Sequence, residues 1–250
     1  MTESNFVESL KELGIEVNEK KLKQLEKYYE LLIEWNEKIN LTGITEKKDV
    51  YLKHFYDSLT MQKIIDLKNI ESLCDVGTGA GFPGLVLKIV FPNLKITLID
   101  ALNKRINFLN DVIEKLGLKD IETVHSRSED YALKNKEKFD VVTARAVASL
   151  PILMELCVPL VKENGYFIPL KANIMEEKLL SKNACEKLYL KQVDEIHFKL
   201  PIEESNRCLI KYLKYKKTEK KYPRRFGEIK KKTIIKYSYL YFFIFGKYFP

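Results

Sequence analysis

The stretch Cys74–Gly84, CDVGTGAGFPG, places an acid and glycines at 77, 79, 81 and 84 between a strand-like run and a helix-like one. Glycines at such a junction let the backbone close around a nucleotide, with the amino end of the helix facing it. Asp100 ends the next strand-like run, 23 residues after Gly77. A carboxylate there is placed to accept both hydroxyls of a ribose. These residues fit a nicotinamide dinucleotide and also S-adenosylmethionine. Gly79, Gly81 and Gly84 satisfy the dinucleotide pattern GxGxxG literally, but they start two residues after the first loop glycine. Asp75 aims an acid at the loop, which suits the cationic amino group of a methionine moiety better than a pyrophosphate. The chemistry therefore favours S-adenosylmethionine and leaves the dinucleotide open.

His54, Asp57 and Ser58 raise a second possibility, a hydrolase triad. They lie three and four residues apart on one expected helix, where nucleophile, base and orienting acid do not line up. A polar helix face beside a site is the better reading. Asn40-Leu41-Thr42 matches a glycosylation pattern with no secretion signal to give it meaning. The four cysteines, 74, 157, 185 and 208, are far apart in sequence and form no CxxC pair. They suggest neither a disulfide framework nor a metal site, and a reducing cytoplasm fits them. The acidic start MTESNFVESLKELG is not a cleavable leader. No stretch reaches the roughly 18–20 apolar residues that a membrane span needs.

The elements that must position these groups follow from periodicity. Residues 1–66 read as helices, the longest capped by Asn18 and running to about Asn40 with Leu22, Leu25, Leu32 and Trp35 at helical spacing. A shorter helix is expected from Asp49 to about Leu59. From Ser72 the pattern alternates: SLCDVG, KITLID, IETVHS, FDVVTA and GYFIPLKA read as strands with helical runs between them, and a further helix is expected over Glu176–Tyr189. VDEIHFKLP and RCLIKYLKY follow without a helix between them. The expected fold is α/β: a doubly wound, mostly parallel sheet with an antiparallel hairpin at one edge, preceded by N-terminal helices. The expected division is a helical extension over 1–66, a cofactor-binding domain over 67–215 and a basic strap with an aromatic tail over 216–250.

Charge is unevenly placed along the chain. The net charge is +8, yet residues 211–232 hold eleven Lys/Arg against two Asp/Glu, leaving residues 1–210 near −3. A basic strap on a near-neutral domain seeks polyanions, nucleic acid above all, or serves only as a solvated tail.

Asp75-Val76-Gly77-Thr78-Gly79-Ala80-Gly81-Phe82-Pro83-Gly84 resembles the first motif of the bacterial ribosomal RNA small-subunit methyltransferase G family, also called glucose-inhibited division protein B. The resemblance extends through Trp35-Asn36, Asn40-Leu41-Thr42, His54-x-x-Asp57-Ser58-Leu59, and Asp100 with Lys104-Arg105. It continues through Ser126–Glu129, Ala144–Ala148 and Pro169-Leu170-Lys171, and ends at Tyr222-Pro223-Arg224-Arg225. It implies a class I, Rossmann-like methyltransferase that carries methyl from S-adenosylmethionine to N7 of a guanosine in 16S ribosomal RNA.

Carried over position by position, the resemblance puts the cofactor on Gly77, Phe82, Ser128, Glu129 and Arg145. Asp100, Asp75 and Gly79 join them from the reading of the loop. Lys171, Lys220, Lys221, Arg224 and Arg225 are candidates for RNA contact. Guanine N7 exposes a lone pair, so no general base is required and no residue is assigned as one. Arg145 is a candidate for positioning.

Two rival readings are a non-catalytic RNA- or ribosome-binding protein and, less favoured, an NAD-dependent oxidoreductase, which would have to use Asp57 or His54. A cytoplasmic monomer with no metal and no membrane span is expected. The family fold is expected to be complete at Lys232, with the aromatic run Tyr237–Phe245 an addition to it.

Overall fold

The computed structural model describes residues 1–235; the expectations for the aromatic run fall outside the described residues. The chain opens with α1 (Glu3–Glu12) and α2 (Glu19–Ile39). Asn18 caps α2 as expected, its side chain accepting from the Lys21 N–H at 3.0 Å, and Asn40 ends it in the left-handed conformation. The next helix starts slightly earlier than expected and is not uniform. α3 (Lys47–Val50) runs into a π-helical turn, Tyr51–Tyr56, and then α4 (Asp57–Leu59). Such widened turns are rare and frequently mark functional sites, and this one carries His54.

Seven strands follow: β1 (Ser72–Val76), β2 (Lys95–Asp100), β3 (Ile121–His125), β4 (Phe139–Arg145), β5 (Val161–Lys171), β6 (Leu190–Lys199) and β7 (Asn206–Lys214). The helices between and after them are α5 (Gly84–Val90), α6 (Asn103–Leu116), α7 (Ser128–Lys134), α8 (Leu150–Cys157), α9 (Met175–Leu180), α10 (Lys182–Lys187) and α11 (Phe226–Lys231). The sheet order is β3-β2-β1-β4-β5-β7-β6, parallel through β5, with β7 antiparallel to both β5 and β6. The doubly wound sheet with an antiparallel edge hairpin is therefore borne out. The single helix expected over Glu176–Tyr189 is instead two short ones, α9 and α10, with Ser181 between them.

Alternation along the strands decides which core each side chain joins. Leu73, Ile96, Leu98, Val141 and Ile168 face a cluster that also holds Phe6, Leu25, Tyr28, Phe55 and Leu85, so the N-terminal helices share a core with one face of the sheet. Cys74, Val76, Val142, Ala144 and Ile210 face the other cluster, filled by α8 and closed by Tyr222, Ile229 and Ile234. Ile234 lies beyond Lys232 and is buried, so the fold does not end at Lys232 as expected.

Candidate functional site

Two cavities open at the carboxyl edge of the parallel strands, where folds of this kind hold ligands. The first, of about 180 Å³, lies between the ends of β1, β2 and β4 and is lined by Gly77, Asp100, Ser128, Glu129, Val147 and Phe226 among others. The second, of about 520 Å³, lies beside it against the π-helical turn, lined by His54, Asp57, Arg145, Lys171, Glu177 and Arg207 among others. Consecutive residues divide the two: Arg145 and Ala146 face the larger cavity, Val147 and Ala148 the smaller.

The glycine loop owes its shape to bonds from three directions. Asp75 lies fully buried beneath it; its Oδ2 accepts from Thr78 Oγ1 at 2.7 Å and from the Gly84 N–H at 2.9 Å. Gly79 N–H donates to Asp100 Oδ2 at 3.0 Å. Tyr28 of α2 donates its hydroxyl to the Ala80 carbonyl, tying the N-terminal helices to the loop. Gly77 and Gly81 both have φ in the left-handed region, and a Cβ would lie 2.6 Å from Val147 Cγ2 in the first and 2.7 Å from Tyr28 Oη in the second. A Cβ on Gly84 would lie 2.3 Å from Leu98 Cδ2, so two of the three glycines in the literal dinucleotide pattern, Gly81 and Gly84, are spent on packing.

Of the residues expected at the cofactor, Gly77, Asp100, Ser128 and Glu129 come together on the smaller cavity. Asp100 already accepts from Leu102 N–H at 2.9 Å, from Gly79 N–H and from Arg105 Nη1 at 3.2 Å. Ser128 turns its hydroxyl away, donating to the Leu156 carbonyl at 2.6 Å. Glu129 is held by Arg127 Nε at 2.7 Å.

The structure places Phe82 and Arg145 elsewhere. Phe82 is buried, stacked on His54 with ring centroids 4.3 Å apart, and carries the Arg145 guanidinium 5.2 Å above its ring centre. The strand that carries Arg145 ends one step before the chain turns toward the smaller cavity, which sends its side chain into the larger one. Asp75 points into the loop rather than to either cavity, and its Oδ1 is buried with no hydrogen-bond partner. Burial, only partly offset by the Thr78 and Gly84 donors, raises its carboxyl to about 6.

In the larger cavity Asp57 is the hub. Its Oδ2 accepts from Arg145 Nη1 at 3.1 Å and its Oδ1 from Arg207 Nε at 2.8 Å. Arg145 Nη2 lies 3.2 Å from His54 Nδ1. The same Nδ1 lies 3.2 Å from the Lys53 carbonyl, so a donor and an acceptor compete for it, while Nε2 is 2.9 Å from Thr42 Oγ1. Burial first, and then the nearby Arg145 charge, push His54 down to about 3, so the imidazole is neutral at neutral pH. Ser58 donates to the His54 carbonyl and touches neither side chain, so the three residues form no triad, as expected.

The basic segment is less free than expected. Arg224 is a correction to the set of RNA candidates. Its Nη2 and Nε donate to Glu155 Oε2 and Oε1 at 2.6 and 2.8 Å, and Glu155 is fully buried in α8. A guanidinium committed to a buried carboxylate is not available to a phosphate. Lys171 lines the larger cavity but is held by Glu177 Oε2 at 2.7 Å and by the Ala148 carbonyl at 2.8 Å. Lys214, one of the eleven cations, is buried and paired with Glu137 at 3.0 Å. Lys220, Lys221 and Arg225 remain exposed.

Phe226, Lys53, Glu177 and Arg207 were missed as site residues. Phe226 is brought to the smaller cavity by the Arg224–Glu155 pair and stacks 4.4 Å over the Arg127 guanidinium. Arg207 reaches Asp57 across 150 residues of sequence, a separation at which no local spacing carries a signal.

A family model described as GidB, rRNA small subunit methyltransferase G, matches residues 21–206 of the chain. A protein named ribosomal RNA small subunit methyltransferase G from Lysinibacillus sphaericus is 51% identical over 230 residues, 91% of this chain and 97% of its own length. The protein of the same name from Bacillus subtilis is 49% identical over 237 residues, 94% of this chain and 99% of its own. Among solved structures, that of a mutant of MtNAS is similar with a TM-score of 0.51 at 13% identity, covering 78% of this chain and 74% of that one, a likeness of fold.

Proposed function

From the premise that this chain belongs to the ribosomal RNA small subunit methyltransferase G family, we infer that it transfers methyl from S-adenosylmethionine to N7 of a guanosine in 16S ribosomal RNA. With that membership the oxidoreductase and non-catalytic readings are set aside. The observation that carries the assignment of parts is the shared wall Arg145–Ala148, which sets a small cavity with ribose-binding chemistry beside a larger one lined by cations.

The residues of the smaller cavity fit the cofactor. Asp100 has used three of its roughly four acceptor positions, so a ribose hydroxyl takes the remaining one or displaces Arg105. Phe226, Val147 and Leu156 offer apolar faces to the adenine, and Glu129 lies at the same wall. The unpartnered Oδ1 of Asp75 is an unmet demand for a donor or cation next to the loop, which a bound amino group eases through space. When bound, the cofactor supplies an electrophilic methyl group on a sulfonium.

The remaining work falls to the larger cavity. Lys53, Arg145, Lys171 and Arg207 oppose Asp57 and Glu177 there, four cations to two anions. That excess suits the phosphodiester around the target base better than the base itself, which becomes cationic on methylation. We assign Arg145 to backbone positioning. A fork on guanine O6 and N7 would cover the very lone pair that must react. Asp57, Phe82 and neutral His54 hold the guanidinium in place from three sides, and holding N7 in line is worth at most ~7–11 kcal/mol. We take the enzyme to act in the cytoplasm as a monomer, with Lys220, Lys221 and Arg225 on RNA phosphates; no helix among the described residues is long and apolar enough to cross a membrane.

The test is transfer of labelled methyl from S-adenosylmethionine to small-subunit RNA, naked and in the 30S particle, with strand scission at N7-methylguanosine to map the product. Label found at another atom or base type, or none with any of these substrates, would overturn the assignment.

A further inference from the structure

Among the described residues, one trio of metal-ligating side chains has its ligand atoms within 4.8 Å of one another: Glu195, His197 and Cys208. It lies on the edge hairpin and lines neither cavity of the site described above. Strand geometry assembles it. Glu195 and His197 are two apart on β6 and so share a face, and Cys208 on β7 is the direct cross-strand partner of His197.

His197 Nε2 stands 2.6 Å from Glu195 Oε1 and 3.8 Å from Cys208 Sγ. In a tetrahedral zinc shell, nitrogen and sulfur ligands lie about 3.5 Å apart and nitrogen and oxygen ligands about 3.3 Å apart, from bond lengths of about 2.1, 2.3 and 2.0 Å. The nitrogen–sulfur pair is already close to that spacing. The nitrogen–oxygen pair needs to open by about 0.7 Å, within reach of the exposed imidazole of His197.

The carboxylate is also oriented. Lys178 Nζ and Gln192 Nε2 both donate to Glu195 Oε2, which leaves Oε1 as the oxygen facing the imidazole. Metal-bound carboxylates are commonly fixed in this way by their outer neighbours. Cys208 is buried and His197 exposed, so the sulfur forms a floor and the imidazole a wall, with the fourth position toward water. Even with Lys178 counted, a thiolate and a carboxylate leave net negative charge for a divalent cation.

We propose that Glu195, His197 and Cys208 form a binding site for a borderline divalent transition metal of the zinc class, which staples β6, the outermost strand, to β7. One oxygen, one nitrogen and one sulfur ligand suit that class, whereas Mg²⁺ and Ca²⁺ take oxygen shells. Binding forms a metal–sulfur bond and releases the Cys208 thiol proton to solvent, and the proton that His197 Nε2 shares with Glu195 Oε1 moves to His197 Nδ1 so that Nε2 is free to ligate, with no change of oxidation state.

The test uses the full chain and Co²⁺ as a spectroscopic stand-in for Zn²⁺. We expect one Co²⁺ per chain, a sulfur-to-cobalt charge-transfer band, its bleaching by Zn²⁺, and a rise in Tm with Zn²⁺. Cys208→Ser should abolish the band. His197→Ala, which changes only an exposed side chain, should weaken binding by at least about tenfold while the protein stays folded. Absence of a charge-transfer band would overturn the proposal, as would a band that survives Cys208→Ser or disappears in Cys185→Ser. Unchanged affinity in His197→Ala would also overturn it.

Discussion

Arg224→Ala tests whether the basic segment is a docked part of the cofactor site. In the wild-type chain the Arg224 guanidinium closes on Glu155, which has no exposure of its own, and Arg224 N–H adds a third bond to the same carboxylate at 3.0 Å. Removing one member of a buried pair costs about 3–5 kcal/mol, because the other charge is stranded. That cost has a ceiling. A stranded carboxylate takes a proton once this is cheaper than staying ionised. For a carboxyl of ordinary pKa, about 4.3, protonation at pH 7 costs about 3.7 kcal/mol, and at pH 5 about 1 kcal/mol.

The variant should therefore be destabilised by about 3–4 kcal/mol at pH 7 and by about 2–3 kcal/mol less at pH 5. Urea unfolding of both proteins at the two pH values measures the difference. Because the pair seats α11, the variant should also lose the apolar contact that Phe226 brings to the smaller cavity. S-adenosylmethionine binding by calorimetry should weaken by roughly tenfold, about 1.4 kcal/mol, and Phe226→Ala should reproduce that loss at near wild-type stability. A loss of stability below about 1 kcal/mol at pH 7, or one equal at the two pH values, would refute the reasoning from the buried charge. A wild-type cofactor affinity in both variants would refute the role given to Phe226.

Three further outcomes follow from the same geometry. Asp75 has its folded pKa raised to about 6, so a cofactor amino group nearby gains most from the carboxylate above that pH. Affinity for S-adenosylmethionine should fall as pH drops through 6 in the wild type and lose that dependence in Asp75→Asn, as calorimetry at several pH values would show. His54 has its pKa lowered to about 3, so the unfolded chain takes up a proton below about 6.5 that the folded one refuses. Its share of stability is whole above that pH and is lost toward pH 3, up to about 4–5 kcal/mol, against an opposing gain of about 3 kcal/mol from Asp75 between pH 6 and 4. His54→Gln should flatten the acid side of the stability profile. Finally, replacing Lys220, Lys221 and Arg225 with alanine should flatten the dependence of log RNA affinity on log salt by about 2–3 units, with the methylated guanosine unchanged. An unchanged slope would leave those cations as a solvated surface.

What the sequence made legible was local. Asn18 and Asn40 mark the ends of α2 through their own backbone and side-chain preferences, and the strands show themselves by apolar runs bounded by turns. Asp100 could be placed because it ends a parallel strand, and such ends share one edge of the sheet, whereas Gly77, Ser128 and Glu129 were named by the family resemblance and lie at that same edge. The strand-end rule is limited. It says which edge a residue occupies but not which way its side chain turns. Arg145 and Val147 are two apart at one strand end, yet they face different cavities. Phe82 follows the glycines as a cofactor contact would, and it stacks on His54 instead, because the π-helical turn supplies an aromatic partner that no spacing reveals.

The basic segment shows the same limit for charge. Eleven cations in a run of 22 residues read as one polyanion-seeking surface, since sequence counts charges without their partners. Folding separates them. Lys214 goes inward to Glu137 and Arg224 to Glu155, and each cation so used does a structural job that a surface lysine does not. Those partners are 77 and 69 residues away in the chain, so composition sets an upper bound on the RNA-facing charge and topology decides how much of it reaches the surface. The trio on the edge hairpin is the converse case. Cys208 shares no CxxC motif and lies eleven residues from His197, yet the antiparallel register makes the two direct neighbours. A ligand set built by strand pairing has the spacing of its hairpin rather than of a motif, and only the register brings it into view.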